Sequence, residues 1–283
     1  MIYAINYANE LYETERKFNT KTAYSKGRVD VVIEYSPNDI EEAFREKNKK
    51  ILAYKRGAGL WLWKPYIILK TLRQINEGDY LFYCDAGAFY VNRIQLLIDC
   101  MEKNNQTVMT FELPLLARQF TKKETFHLMN YANYEQNQVL ASYLLLKKCA
   151  FSEQLICEWL EYCCDERIIS PRYFRPDIAE FDDFVEHRED QSILSIVVKK
   201  HNLPVFRDPS NYGDRPWEYA SKNWLYVPKE YPNSIYCKVL VSNRKNNPLL
   251  YRYKEKFKTV LNKLGLYTQS YYFKKHGINE NLE

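Results

Sequence analysis

Short apolar runs recur along the first two thirds of this chain, each separated from the next by a segment with helical character, and that alternation limits the folds open to it. Residues 2–8, led by Ile2-Tyr3-Ala4-Ile5, read as a first buried strand, and Asn9 is placed to cap a helix running to about Tyr24. Val29–Ile33 predicts a second strand, ended by Ser36-Pro37, with a charged helix from Asp39 to Leu52 behind it. Gly57-Ala58-Gly59 punctuates the chain, and Pro65 at a first helical position opens a helix through Ile75. Tyr80–Cys84 is an apolar strand ending at Asp85-Ala86-Gly87. A helix over Arg93–Lys103, a strand over Thr107–Phe111, a polar segment over 118–129 and a strand over Val139–Leu146 follow. The rest of the body reads as a long helix from Ser152 to about Glu166, a surface loop over 170–186, a helix over Asp190–Lys200 and a short strand at Leu203–Phe206. Strand-helix alternation of this kind predicts one α/β domain, with a mostly parallel sheet covered by helices on both faces.

The length of 283 residues with 46% apolar composition suits one large domain and excludes a disordered chain. The 25 Tyr residues offer stacking faces and hydroxyls that suit sugars and bases, or reflect a compositional habit. The seven Cys form no C-x-x-C pair and no zinc-type spacing with His. Without a signal-like opening segment they read as reduced thiols, so a cytoplasmic location is expected. No apolar run approaches the roughly 20 residues that cross a bilayer.

Charge divides the chain in two. Nine of the 41 Lys/Arg and one of the 36 Asp/Glu lie between Arg244 and Lys275, which leaves 32 basic against 35 acidic residues elsewhere. A slightly acidic body excludes a globally basic nucleic-acid binder. We therefore divide the chain into a domain over 1–243 and a basic amphipathic tail over 244–283. In the tail, Leu250, Tyr253, Phe257, Val260, Leu261 and Leu264 recur at helical spacing, while Arg252, Lys254, Lys256, Lys258 and Lys263 fill much of the remaining surface. Such a helix either lies on the anionic inner face of a membrane or packs its stripe on the body.

Three motifs carry candidate chemistry. Asp85, at the end of an apolar strand, is placed to meet a divalent cation or phosphates, with Gly87 allowing close backbone approach, although strand-end Asp also serves turns. In Trp61-Leu62-Trp63-Lys64-Pro65, Lys64 adds charge at a helix start, and Trp61 or Trp63 either stacks on a base or sugar or belongs to the core. In Glu186-His187-Arg188-Glu189-Asp190-Gln191, ionisable groups crowd against the apolar Ile193–Val198, with Asp190 either capping the helix or taking part in chemistry.

Taken in order, Asp85-Ala86-Gly87, Leu140-Ala141-Ser142 and Asp190-Gln191 resemble the layout of GT-A glycosyltransferases of the glycogenin-like and lipopolysaccharide groups. Trp63-Lys64-Pro65-Tyr66, Phe120–Phe126 and His187–Ser192 are similar to segments of bacterial polysaccharide-biosynthesis proteins of the capsule and O-antigen type, and the likeness spans about residues 1–215. The resemblance implies a GT-A (Rossmann-like) fold and sugar transfer from a nucleotide-sugar donor, such as a UDP-sugar, to a carbohydrate or lipid-linked glycan acceptor. It implies donor binding by Tyr7, Trp63, Lys64, Asp85 and Gly87, with Mn2+ or Mg2+ at Asp85. It places Glu189, Asp190 and Gln191 at the reacting sugar, and Glu112, Ala141, Ser142, His187 and Arg188 on the sugar or acceptor side. It leans towards retention of anomeric configuration; were the reaction inverting, Glu112, Glu189 or Asp190 would supply the base. Two departures stand out: Gly87 where the D-x-D pattern has a second Asp, and Ser142 where relatives have Gly. The missing Asp leaves room for a different role, a sugar-binding scaffold without catalysis.

Overall fold

The computed structural model describes residues 1–243 and 247–278. Strand β1 (Ile2–Tyr7) leads through a 3-10 turn, whose first residues are capped by the Asn9 side chain, into α1 (Glu13–Thr22). Then come β2 (Val31–Tyr35), the short helices α2 (Glu42–Lys47) and α3 (Lys49–Leu52), α4 (Trp63–Leu72) and β3 (Tyr80–Cys84). After them follow β4 (Ala88–Tyr90), α5 (Gln95–Lys103), β5 (Val108–Leu116), β6 (Asn137–Lys147), α6 (Ala150–Cys163), α7 (Glu189–Lys200) and β7 (Val205–Arg207). A last strand β8 (Leu240–Ser242) precedes the tail helices α8 (Pro248–Lys263) and α9 (Gln269–His276).

Six strands form one sheet in the order β2-β1-β3-β6-β5-β7. Only β6 runs against the others, since it is antiparallel to both β3 and β5 while the remaining pairs are parallel. Alternate residues feed two cores. Leu81 and Tyr83 of β3 join Ile67, Ile68, Leu155, Trp159, Ile193 and Ile196 on one face, under α4, α6 and α7. Phe82 and Cys84 join Leu97, Ile98 and Met101 of α5 on the other. The expected two-sided, mostly parallel sheet is therefore present, and β3 and β6 are buried on both faces, as their predominantly apolar runs require.

Several boundaries move for local reasons. The second strand starts at Val31, not Val29, because Arg28 is left-handed (φ 56) and Asp30 instead hydrogen-bonds the start of β1, its carboxylate accepting from Ile2 N at 2.7 Å. The charged helix over 39–52 breaks at Asn48, whose side chain donates to Phe44 O. Pro65 is the third residue of its helix, not the first. The strand at 107–111 continues to Leu116, so Glu112 lies inside it. The β4–β8 ribbon has no counterpart in the sequence reading; Ala88 pairs with Ser242 and Phe89 with Val241.

Between Arg56 and Trp63 the chain makes an unusual turn. Gly57, Ala58, Gly59, Leu60 and Trp61 all have positive φ, which puts Trp61 and Trp63 on a left-handed coil followed by a helix rather than on the extended segment that would give them a common face. Gly59 is without choice against backbone: its φ is 99°, and a Cβ there would stand 2.9 Å from Leu52 Cα. We expect Gly59→Ala to cost about 2 kcal/mol or more and to lower the thermal midpoint by roughly 5 °C, read by circular dichroism.

Candidate functional site

The site lies beyond the carboxyl ends of β1 and β3, where parallel α/β sheets place their ligands. A cleft of about 590 Å³ opens there. It is lined by Tyr7, Trp61, Trp63, Lys64, Asp85, Gly87, Ala141, Ser142, Arg188, Glu189, Asp190 and Gln191, among others. Most of the residues named from the sequence thus converge, although they come from five separate stretches of chain.

At the centre sits Lys64. Its ammonium lies 2.8 Å from Asp190 Oδ2 and 3.6 Å from Asp85 Oδ1, with only Asp85 of the three substantially open to solvent, at 36% of its side chain. Burial opposes the charge on Lys64, but Asp190 and Asp85 more than offset it and hold its pKa above the usual range. Burial also lifts Asp190 to about 6 against the pull of Lys64. Tyr83 donates its hydroxyl to Asp85 Oδ1 and fixes that carboxylate's orientation.

The next carboxylate has its own cation. Arg56 Nε stands 2.6 Å from Glu189 Oε1, yet burial still raises Glu189 to about 7. Glu189 is also left-handed, at φ 34, a strained conformation for a residue with a long side chain. The first residue of α7 is thus held out of its easy conformation to face the cleft. Glu189 Oε1 and Asp190 Oδ2 are buried and make these ion contacts, but neither makes a well-aligned hydrogen bond. Asp190 does not cap α7: the N-cap position is Arg188, and the Asp190 side chain turns to Lys64.

Gln191 ties α7 to β6. Its amide donates to Gln138 Oε1 at 2.8 Å and its oxygen accepts from Ala141 N at 3.4 Å. That second bond meets β6 where its pairing with β5 slips, between Met109 opposite Leu145 and Phe111 opposite Leu140. Ser142 sits in this irregular stretch and receives Asp85 N on its carbonyl at 2.9 Å. Irregular strands of this kind commonly re-aim backbone beside a site.

The two tryptophans separate in role. Trp63 is buried, stacks on Tyr7 with ring centroids 3.7 Å apart, and donates Nε1 to Gly57 O, so it forms the floor. Trp61 is half-buried on the wall, with the Arg56 guanidinium 5.8 Å from its ring centroid. Two predicted residues lie away from the cleft. Glu112 is buried within β5, where Lys199, Lys229 and Tyr231 take its carboxylate. His187 is buried with both ring nitrogens engaged, by Lys122 N and Ile168 O, and burial drives its pKa down to about 3, so it stays neutral. Arg56 was missed; its signal was the Lys55-Arg56 pair directly before the glycine-rich turn.

The donor set does not fit a resident divalent cation at Asp85. The space between Asp85 and Asp190 is occupied by the Lys64 ammonium, and no group of three or more His, Cys, Asp or Glu converges among the described residues. A second carboxylate at position 87 also meets a steric limit, because a Cβ on Gly87 would stand 3.2 Å from Asn243 O of the adjoining ribbon. The glycine accommodates close backbone packing here.

No known family profile matches the chain, and no curated protein matches it in sequence. Its fold is shared with solved glycosyltransferases. WbbM, described as a bifunctional glycosyltransferase, aligns with a TM-score of 0.50 at 9% identity over 87% of this chain, which spans 46% of that protein's length. Mouse xyloside xylosyltransferase 1 aligns at 0.48 and 10% identity, over 88% of this chain and 99% of its own. The galactosyltransferase LgtC, in complex with donor and acceptor sugar analogues, aligns at 0.44 and 14% identity, over 86% and 87%. At such identities the likeness concerns architecture: the chain has the GT-A fold, a mostly parallel six-stranded sheet between helical layers.

The raised carboxylates set a pH test. A Glu189 pKa of about 7, above its ordinary 4.5, means the folded state holds that proton more tightly, which stabilises below pH 4.5 and is lost as pH rises through 7. The melting temperature of the native protein relative to Glu189→Gln should therefore decline as pH rises from about 5 to about 8. A difference that does not change with pH would show that Glu189 titrates normally.

Proposed function

We propose that this chain transfers a sugar from a nucleoside diphosphate donor to a carbohydrate acceptor. The observation that carries the reading is the Lys64 ammonium, buried between Asp85 and Asp190 at the mouth of a GT-A sheet. Buried cations of this kind stabilise charge that develops on a departing group and need no reorganisation as it forms.

In this reading the diphosphate lies beside Asp85 and Gly87, with Lys64 and Arg56 facing its charge, and the base of a uridine-type donor packs on Trp61. The hydroxyls of the transferred sugar lie beside Asp190 and Glu189, the two carboxylates that line this part of the cleft. Ala141, Ser142 and Arg188 border the acceptor side. The bond from the anomeric carbon to the diphosphate oxygen breaks and its electron pair leaves with the nucleotide. The new bond forms to the acceptor hydroxyl. In the retaining course implied by the sequence resemblance, that hydroxyl's proton passes to the departing diphosphate and no side-chain base is used. Cationic side chains supply the neutralisation throughout. A surface polysaccharide is the acceptor class we favour, following the sequence resemblance.

Two measurements test the proposal. Titration calorimetry should show UDP binding that manganese does not strengthen, and a nucleotide-sugar panel should reveal one donor whose turnover survives EDTA. A scaffold without catalysis would turn over none of them. Asp85→Asn should lower turnover at least tenfold with an unchanged melting temperature, because that carboxylate is open to solvent and contributes little to packing. Retained turnover would remove Asp85 from the mechanism.

A further inference from the structure

The tail helix α8 docks in the opposite sense to an ordinary surface helix. Its polar side faces the body: Glu255 is buried and bound by Arg215 through two contacts of 2.7 Å, and Lys258 reaches Glu218 at 3.3 Å. Thr259 and Lys238 complete this attachment. The apolar stripe turns outward, with Leu250 64% exposed, Tyr253 71%, Phe257 64%, Val260 53% and Leu264 66%. Leu266, in the turn that follows, and Tyr271 of α9 are exposed as well. Leu261 of the stripe is half-buried, but packing against the body does not account for the other five residues. An exposed apolar row of this length on one helix marks a surface that meets a partner.

Charge identifies the partner. Lys254 lies along one edge of the stripe, and Arg252, Lys256 and Lys263 along the other by helical spacing. None of the four makes an ion pair among the described residues. Glu255 is the only carboxylate between residues 244 and 278, and it points inward. A protein partner of mixed charge would meet no acidic group here, whereas an anionic bilayer matches both the apolar row and its cationic borders.

A groove of about 610 Å³ beside the helix has the same amphiphilic character. Phe18, Phe89 and Val241 line it together with the cations Lys21, Lys26 and Lys256, and its one acidic residue, Glu255, is neutralised by Arg215. Its wall is the β4–β8 ribbon, whose Ala88 and Ser242 line the sugar cleft while the paired Phe89 and Val241 line the groove.

We propose that α8 and this groove seat the protein on an anionic lipid bilayer, the stripe entering the headgroup layer and the groove receiving the phosphate-bearing head of one lipid. Under the transferase reading, a lipid-linked acceptor would be presented one ribbon away from the donor cleft. The docking itself does not require that reading.

Flotation with vesicles of phosphatidylglycerol and phosphatidylcholine, against phosphatidylcholine alone, tests the proposal on the full chain. We expect binding to the anionic vesicles only, weakened as salt is raised to about 0.5 M. Phe257→Ser with Leu264→Ser should reduce partitioning at least tenfold, and both side chains are exposed, so the melting temperature should hold. Each cation near such a surface is worth about a fivefold change in partitioning, so Lys21→Glu with Lys26→Glu should weaken binding by more than tenfold if the groove takes part. Equal binding to both vesicle types would overturn the proposal, as would indifference to both. Light scattering that shows a dimer dispersed by the Phe257→Ser, Leu264→Ser pair would also overturn it, by assigning the stripe to a second copy. Because vesicle binding is read without any sugar donor, its failure is distinct from failure of the transferase reading.

Discussion

Three secondary-structure elements meet at one ammonium group. Lys64 leaves the first turn of α4, Asp85 directly follows β3 and Asp190 lies in the first turn of α7, and the ion contacts of Lys64 draw the three together. Removing Lys64 or Asp190, the two buried members, leaves an uncompensated buried charge, which typically costs about 3–5 kcal/mol, whereas Asp85 is open to solvent. Much of the surrounding arrangement supports this cluster. Tyr83 orients Asp85, Trp159 holds the Asp190 carbonyl through Nε1 at 3.0 Å, and the left-handed coil over Gly57–Trp61 delivers the start of α4. The strained Glu189 adds a third carboxylate beside the cluster, neutralised by Arg56.

The antiparallel strand β6 gives the cleft its far wall. An ideal ladder would carry Ala141 and Ser142 past the site in a regular pleat. The slip opposite β5 instead lets Gln191 satisfy the Ala141 amide and Ser142 satisfy Asp85 N. The β4–β8 ribbon closes the opposite side, and Asn243 just beyond it leaves only a tight fit for a side chain at position 87. Backbone packing and charge thus work together: the ribbon disfavours a second acid, and the lysine takes up the position beside the first.

The tail shows how a buried ion network can invert a helix. Arg215 is buried, and it contacts both Glu218 and Glu255; turning Glu255 outward would strand that charge. The polar side of α8 is therefore held inward and the apolar side is presented to solvent. The boundary placed after residue 243 falls beside residues 244–246, which lie outside the described residues, while the helix beyond them is joined to the body through Arg215.

Strand and helix order was legible in the amino-acid sequence because β1, β3 and β6 each carry a mostly apolar run, and their period and length depend on local composition. The same local chemistry marked Lys64, Asp85, Glu189 and Asp190 as polar residues at the ends of apolar segments, and all four line the cleft. Contacts across long stretches of chain were not legible. Glu112 and His187 looked like the others, but Lys199, Lys229 and Lys122 claim them inside the fold. The pairing of residues 88–90 with 240–242, too short to show a period, was decided only when the sheet brought those segments together. So was the direction in which the tail stripe faces. A helical repeat specifies which residues share a face, and only the buried partner, here Arg215, determines where that face points.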